Sequence, residues 1–157
     1  MQITESELAE IRTRYHADKI VLTGGGFDLI HCGHLDFLEA SKRLGDVLVV
    51  ALANDKELRI RKGTSRPIIA ESLRARLVDA LKPVDYTLVR ADSDLANSLL
   101  AVAYVLCPDV LVLYADIPAA ILAQFKSALP RTEVVIDRQV KVDSTTDIIQ
   151  RLQRLDK

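Results

Sequence analysis

The chain has 157 residues, of which 49% are hydrophobic, 27% are charged and 4% are aromatic, and its formal net charge is -1. This length suits one domain with an aliphatic core, and we expect a single domain over residues 1–157. The small net charge provides no general basic field to attract nucleic acid or an anionic membrane, so we expect neither partner.

The remaining compositional features favour a cytoplasmic protein. The two cysteines lie in unrelated contexts and form no disulfide-type pattern. No apolar run reaches the roughly 18 residues needed to span a bilayer, and the N-terminus is too polar for a signal peptide. Residues 1–18 predict a helical extension, with Ile3, Leu8 and Ile11 as contact positions and Thr4 and Glu7 at capping-box spacing.

Short β-branched runs then alternate with segments of helical spacing. The predicted strands cover residues 19–23, 46–52, 86–89, 109–113 and 133–136, and the predicted helices cover residues 35–44, 72–81, 95–106, 119–128 and 145–155. Buried strands that alternate with helices are typical of a parallel sheet covered on both faces. We therefore predict an α/β fold of the Rossmann-like type, with three α/β/α layers and a five-stranded parallel sheet.

Two features of residues 54–81 bear on the site. Residues 54–72 are the most polar and basic stretch of the chain, and such a long connection predicts either a functional loop that holds an anion or a solvated basic surface. In the helix that follows, Leu73, Leu77 and Leu81 recur every fourth residue, and we expect this stripe to pack on the sheet.

The segment TGGGFDLIHCGH, residues 23–34, joins the first strand to the next helix. Open α/β sheets bind ligands at the carboxyl ends of their strands, and glycines there let the main chain approach a ligand closely. The segment lacks the Lys-Ser/Thr of a P-loop and the third glycine of the dinucleotide fingerprint. The candidate nucleotide-binding residues in this segment are Thr23, Gly24, Gly25, Gly26, Phe27 and Asp28.

His31 and His34 have i,i+3 spacing at the start of the predicted helix, so their imidazoles can converge on one ligand group. Such a pair can donate hydrogen bonds to phosphate oxygens as charge develops during group transfer. Two alternatives remain open. With Cys32 and Asp28 the histidines resemble a partial zinc ligand set, and they can also be capping or core residues.

These residues resemble the HxGH signature of the nucleotidylyltransferase superfamily, and the resemblance extends over nearly the whole chain. Residues 44–68, residues 71–86 and the STTDII segment at residues 144–149 resemble, in order, the cytidylyltransferase-like branch. Within it the chain is most similar to the nucleotidyltransferase half of ADP-heptose synthase, followed by glycerol-3-phosphate cytidylyltransferase and archaeal FAD synthetase.

The resemblance implies transfer of a nucleoside monophosphate from ATP or CTP, supplied with Mg²⁺, to a small phosphorylated acceptor such as a sugar or polyol phosphate, with release of pyrophosphate. It also implies a homodimer and no resident metal. The catalytic residues it implies are His31, His34, Lys62 and Arg74, and Ser144, Thr145 and Thr146 join the nucleotide-binding set. Asp55 and Asp116 are candidates for acceptor binding, although Asp55 can equally serve a turn and the STT segment can equally be a plain helix cap.

The chain departs from the family pattern at Gly24 and Gly26, at residues 141–143 before the STT segment, and most clearly after the fourth strand. Relatives usually carry a glycine-rich acidic-aromatic motif after the fourth strand, whereas this chain has Leu113, Tyr114, Ala115, Asp116 and Ile117. This difference leaves open a nucleotide-binding module that has lost turnover. A protein that only docks a partner through its N-terminal helix and basic stretch is a third possibility.

Overall fold

The structure is a computed structural model that describes residues 1–92, 94–138 and 144–155, with only the backbone described at residue 95. The expected domain limits also include residues 93, 139–143 and 156–157, which lie outside the described residues. One parallel sheet has the strand order β3-β2-β1-β4-β5. Its strands are β1 (Ile20–Gly25), β2 (Val47–Leu52), β3 (Tyr86–Val89), β4 (Val110–Tyr114) and β5 (Glu133–Asp137). The predicted α/β fold is confirmed.

Helices connect the strands and cover both faces of the sheet. After a short 3-10 helix at Glu5–Glu7 come α1 (Leu8–Arg14), α2 (Cys32–Lys42), α3 (Asp55–Lys62), α4 (Glu71–Asp79), α5 (Leu95–Leu106), α6 (Ala119–Ala128) and α7 (Thr145–Leu155). Within the described ranges, no helix is both long enough and apolar enough to cross a membrane.

Two aliphatic cores form because successive strand residues point to opposite faces of the sheet. Leu22 of β1 belongs to the core that also contains Leu99 of α5 and Phe125 of α6. Val21, its neighbour, belongs to the core on the other face, with Phe37 of α2. Each fully buried side chain of this size contributes about 1.5–3 kcal/mol. The sheet is therefore fixed from both sides, and its carboxyl-end loops rest on a rigid base.

The N-terminal residues pair with the β3 edge before α1 begins. Ile3 N–H donates to the Thr87 carbonyl at 2.9 Å, and Gln2 forms a parallel bridge with Thr87. Ile3, Leu8 and Ile11 are buried, as their spacing predicts. Since an exposed edge strand can pair with other chains, this segment also protects the edge of the sheet.

The predicted leucine stripe on α4 is wrong. Leu73 is 54% exposed and Leu77 is 45% exposed, and only Leu81 packs partly against the core. The buried face of the helix consists instead of Arg74 with Ala75 and Val78. Arg74 occupies an interior position because backbone carbonyls there accept hydrogen bonds from its guanidinium, and this rotates the leucines toward solvent.

The basic stretch contains a helix, α3, rather than only a loop. Asn54 caps it by accepting a hydrogen bond from Glu57 N–H at 2.8 Å. Glu57 is fully buried and accepts from Arg90 at 2.7 Å and from Arg61 at 3.0 Å. Desolvation lowers the pKa of the Arg90 guanidinium, while the charge of Glu57 opposes that change. This buried ion pair fixes α3 at the carboxyl end of β2.

Candidate active site

The site lies where β1 and β4 meet at the carboxyl edge of the sheet. The strand order reverses there, since β1 leads to β2 on one side and β4 to β5 on the other. This is the position at which doubly wound sheets bind ligands. Thr23 is buried, and its hydroxyl donates to the Val112 carbonyl at 2.8 Å, which joins the two strands just below the crevice.

The glycine loop is closely packed from both sides. A Cβ at Gly25 would lie 2.9 Å from the Phe27 ring, and one at Gly26 would lie 2.8 Å from the Leu58 side chain of α3. Phe27 and Leu29 have φ values of 51° and 53°, in the left-handed region that non-glycine residues rarely adopt. Such backbone strain is concentrated at ligand sites, and sequence patterns gave no sign of it.

The imidazoles of His31 and His34 stack on each other above this loop. Their ring centroids are 3.8 Å apart with an interplanar angle of 26°, and the His34 ring lies 5.3 Å from the Phe27 ring. Both residues are partly exposed, whereas Cys32 between them is exposed. The i,i+3 pair therefore converges, as its spacing predicts. Within residues 1–92, 94–138 and 144–155, no group of three or more His, Cys, Asp or Glu residues could hold a metal ion.

Asp28 holds the basic stretch against the glycine loop. Its buried carboxylate accepts from Arg66 Nε at 2.7 Å and from the N–H groups of Ile68 and Ile69 at 2.9 and 3.0 Å. Burial alone would raise the pKa of Asp28, but the two backbone donors and Arg66 together outweigh it and lower the pKa. Arg66 thus neutralises a protein carboxylate, and the Asp28 side chain is engaged within the protein.

Arg74 occupies the centre of a second internal network. Its guanidinium is buried and donates to the carbonyls of Gly26, Ile69 and Ala53 and to the Asp55 carboxylate at 2.8 Å. Arg74 therefore braces the glycine loop against the start of α3, and the phosphate contact that the resemblance implies for it stays a prediction. Asp55, in the first turn of α3, is the carboxylate that pairs with Arg74, and its role in acceptor binding stays a prediction.

Lys62 is the predicted phosphate-binding cation whose position remains open to solvent. It lies in the last turn of α3 and is exposed. Asp116 is exposed after β4, in the turn that follows the strand. Lys62 follows β2 and Asp116 follows β4, the two strands that flank β1 in the sheet.

The STT segment reaches the glycine loop from the other end of the chain. Ser144 caps α7 by accepting from Asp147 N–H at 3.1 Å, and Thr145 donates its hydroxyl to the Asp28 carbonyl at 2.5 Å. Thr146 is exposed. The N-terminus of α7, where free N–H groups favour an anion, is therefore anchored beside the loop that carries the histidines.

The family model described as cytidylyltransferase-like matches residues 22–151, which contain all of these segments. The chain belongs to the cytidylyltransferase-like family. It is 38% identical over 142 residues to the bifunctional protein HldE of Syntrophotalea carbinolica, an alignment that covers 88% of this chain and 28% of the relative. It is 41% identical over 111 residues to the HldE of Desulfatibacillum aliphaticivorans, covering 71% of this chain and 22% of the relative.

Solved structures extend the comparison. The lipopolysaccharide core biosynthesis protein from Thermoplasma volcanium is 31% identical, with a TM-score of 0.64, and the match covers 80% of this chain and 99% of that one. Pantoate-beta-alanine ligase from Francisella tularensis is 17% identical with a TM-score of 0.63, covering 100% of this chain and 79% of that one, and it shows the fold alone. This chain spans about a quarter of the length of the HldE relatives.

Proposed function

We propose that this cytidylyltransferase-like protein transfers a nucleoside monophosphate from ATP or CTP to a small phosphorylated acceptor, such as a sugar or polyol phosphate. An acceptor phosphate oxygen attacks the α-phosphorus of the Mg²⁺-bound nucleoside triphosphate. The bond from the α-phosphorus to its bridging oxygen breaks, and pyrophosphate leaves. The observation that carries this proposal is the stacked His31–His34 pair beside a strained glycine loop at the strand switch point.

Each part of the site has a defined task in this proposal. The imidazoles donate hydrogen bonds to phosphate oxygens as negative charge develops, which is the interaction that preorganised donors supply in group transfer. Lys62 and the N–H groups at the start of α7 neutralise the triphosphate from either side. Arg74 and Asp28 act indirectly, because both bind within the protein and keep the loop in place.

Pyrophosphate release tests the proposal. The purified protein is incubated with ATP or CTP and a panel of phosphorylated acceptors, with sugar phosphates first because the Thermoplasma volcanium relative is named for lipopolysaccharide core biosynthesis. His31→Ala and His34→Ala should each lower kcat about 100- to 1,000-fold, as removal of one preorganised donor does. His16→Ala is the matched control, since His16 is exposed on the N-terminal segment.

Different results would support other functions. Nucleotide binding without pyrophosphate release would point to a module that has lost turnover, which the family assignment does not favour. A partner-docking protein would keep its function when both site histidines are replaced. The homodimer that the resemblance implies stays a prediction.

A further inference from the structure

Tyr114 is the last residue of β4, and the proposed function gives it no role. It lies next to β1 at the strand switch point, on the sheet face that α2 covers. The chain has Tyr114 where the strand ends, in the segment that departs from the glycine-rich pattern of relatives. An aromatic residue here changes what the crevice can accept.

The ring of Tyr114 is fixed by packing beneath the histidines. It stacks on Phe37 with centroids 3.8 Å apart and an interplanar angle of 16°. Phe37 lies three residues after His34, so the two side chains share one face of α2. On its other side the ring approaches Gly25, where a Cβ would lie 3.3 Å from Tyr114 Cε2. Tyr114 therefore forms part of the same wall as the imidazole pair.

The hydroxyl of Tyr114 is the polar atom that this packing does not explain. Its oxygen is buried and has no hydrogen-bond partner among the residues that the structure describes. A phenylalanine would pack on Phe37 equally well without the penalty of an unsatisfied buried hydroxyl. The buried hydroxyl therefore points to a partner that arrives with a ligand.

The charged side chains near the Tyr114 hydroxyl indicate which kind of substrate group can bind to it. Asp137 lies opposite Tyr114 in the register of β4 and β5, and Asp116 follows two residues later. Burial, followed by the negative charges of Asp137 and Asp116, raises the pKa of Tyr114, so the phenol stays protonated and can donate. Carboxylates repel phosphate, so an uncharged polar group of the substrate, such as a hydroxyl, suits this position better than a phosphate does.

We propose that Tyr114 is a specificity-determining residue whose phenol hydrogen-bonds a hydroxyl group of the bound substrate. This inference rests on the proposed function. The hydroxyl belongs either to the ribose of the nucleotide or to the sugar or polyol acceptor. Because the phenol oxygen is covered and the ring is held against Phe37, the substrate reaches the oxygen by displacing the exposed turn at residues 115–116.

The test compares Tyr114→Phe with Tyr104→Phe, which removes an exposed hydroxyl from α5. Loss of one hydrogen bond should raise KM roughly two- to tenfold for the substrate that supplies the partner, with kcat nearly unchanged. If Tyr114→Phe raises the KM for ATP or CTP but leaves the KM for the 2′-deoxy nucleotide unchanged, the partner is the ribose hydroxyl. A raised KM for the acceptor identifies the acceptor. KM values equal to those of Tyr104→Phe overturn the inference.

Ligand-induced thermal shifts separate this inference from the proposed function. If the unmodified protein releases no pyrophosphate, the proposed function fails, while nucleotide and acceptor binding still report on Tyr114. A smaller shift for Tyr114→Phe than for the unmodified protein then supports the inference. Equal shifts, or the absence of any shift with either substrate class, overturn it.

Discussion

Replacing Arg74 with methionine tests whether this arginine braces the site or acts on the substrate. The methionine side chain keeps most of the buried aliphatic volume, and the guanidinium is lost. In the structure that guanidinium is buried and donates to three backbone carbonyls and to the Asp55 carboxylate. The substitution therefore leaves four acceptors without their donor.

The expected loss follows from these contacts. Neutral hydrogen bonds contribute about 0.5–1.5 kcal/mol each and those to charged groups about 1.5–3 kcal/mol. The full sum is reduced because the Asp55 side chain is 20% exposed and can be rehydrated. We expect Arg74→Met to lower the free energy of unfolding by about 3–5 kcal/mol, the range found when one partner of a buried pair is removed. In a chain of this size that lowers Tm by roughly 6–20 °C.

Urea unfolding and thermal melting measure this change, with Arg76→Met as the matched control. Arg76 lies on the same helix and is exposed, so its replacement should stay within about 0.5 kcal/mol of the unmodified protein. The free energy of unfolding of Arg74→Lys should lie between those of Arg74→Met and Arg76→Met. If Arg74→Met instead unfolds at the same midpoint as Arg76→Met while kcat collapses, the side chain acts on substrate and the bracing role is wrong.

Two further predictions concern buried carboxylates. The pKa of Asp28 is lowered, so its carboxylate stabilises the fold above its unfolded pKa of about 3.9, and this contribution is lost as pH falls through the lower folded pKa. The stability difference between the unmodified protein and Asp28→Asn should accordingly shrink in acid unfolding experiments below about pH 4, and a constant difference would contradict this. Glu57→Leu should cost about 3–5 kcal/mol in urea unfolding because Arg90 stays buried without its partner, and adding Arg90→Met should recover most of the loss; equal losses would contradict the pairing.

The strands could be predicted from the sequence because each is a short β-branched run inside an aliphatic sheet. The predicted range 86–89 matches β3, and the range 109–113 differs from β4 by one residue at each end. The order of the strands could not be predicted from these runs, since it depends on which faces pack together. The Thr145 contact with Asp28 likewise joins residues far apart in the chain, and local patterns carry no information about it.

The errors come from polar side chains that are satisfied inside the protein. The leucines at every fourth residue predicted the buried face of α4 on the assumption that no arginine is buried. Arg74 is buried because backbone carbonyls accept hydrogen bonds from its guanidinium. Similarly, the basic residues of 54–72 predicted a functional loop or a solvated surface, although α3 forms within this stretch and its Glu57 carboxylate is buried against Arg90. The sequence indicated Tyr114 only as part of a segment that departs from the glycine-rich pattern of relatives.

The described part of α7 contains no buried side chain, yet its first turn touches the loop that carries the histidines. Substitutions along this helix can accumulate over evolutionary time with little penalty to folding, while small shifts of its first turn alter the neighbouring crevice.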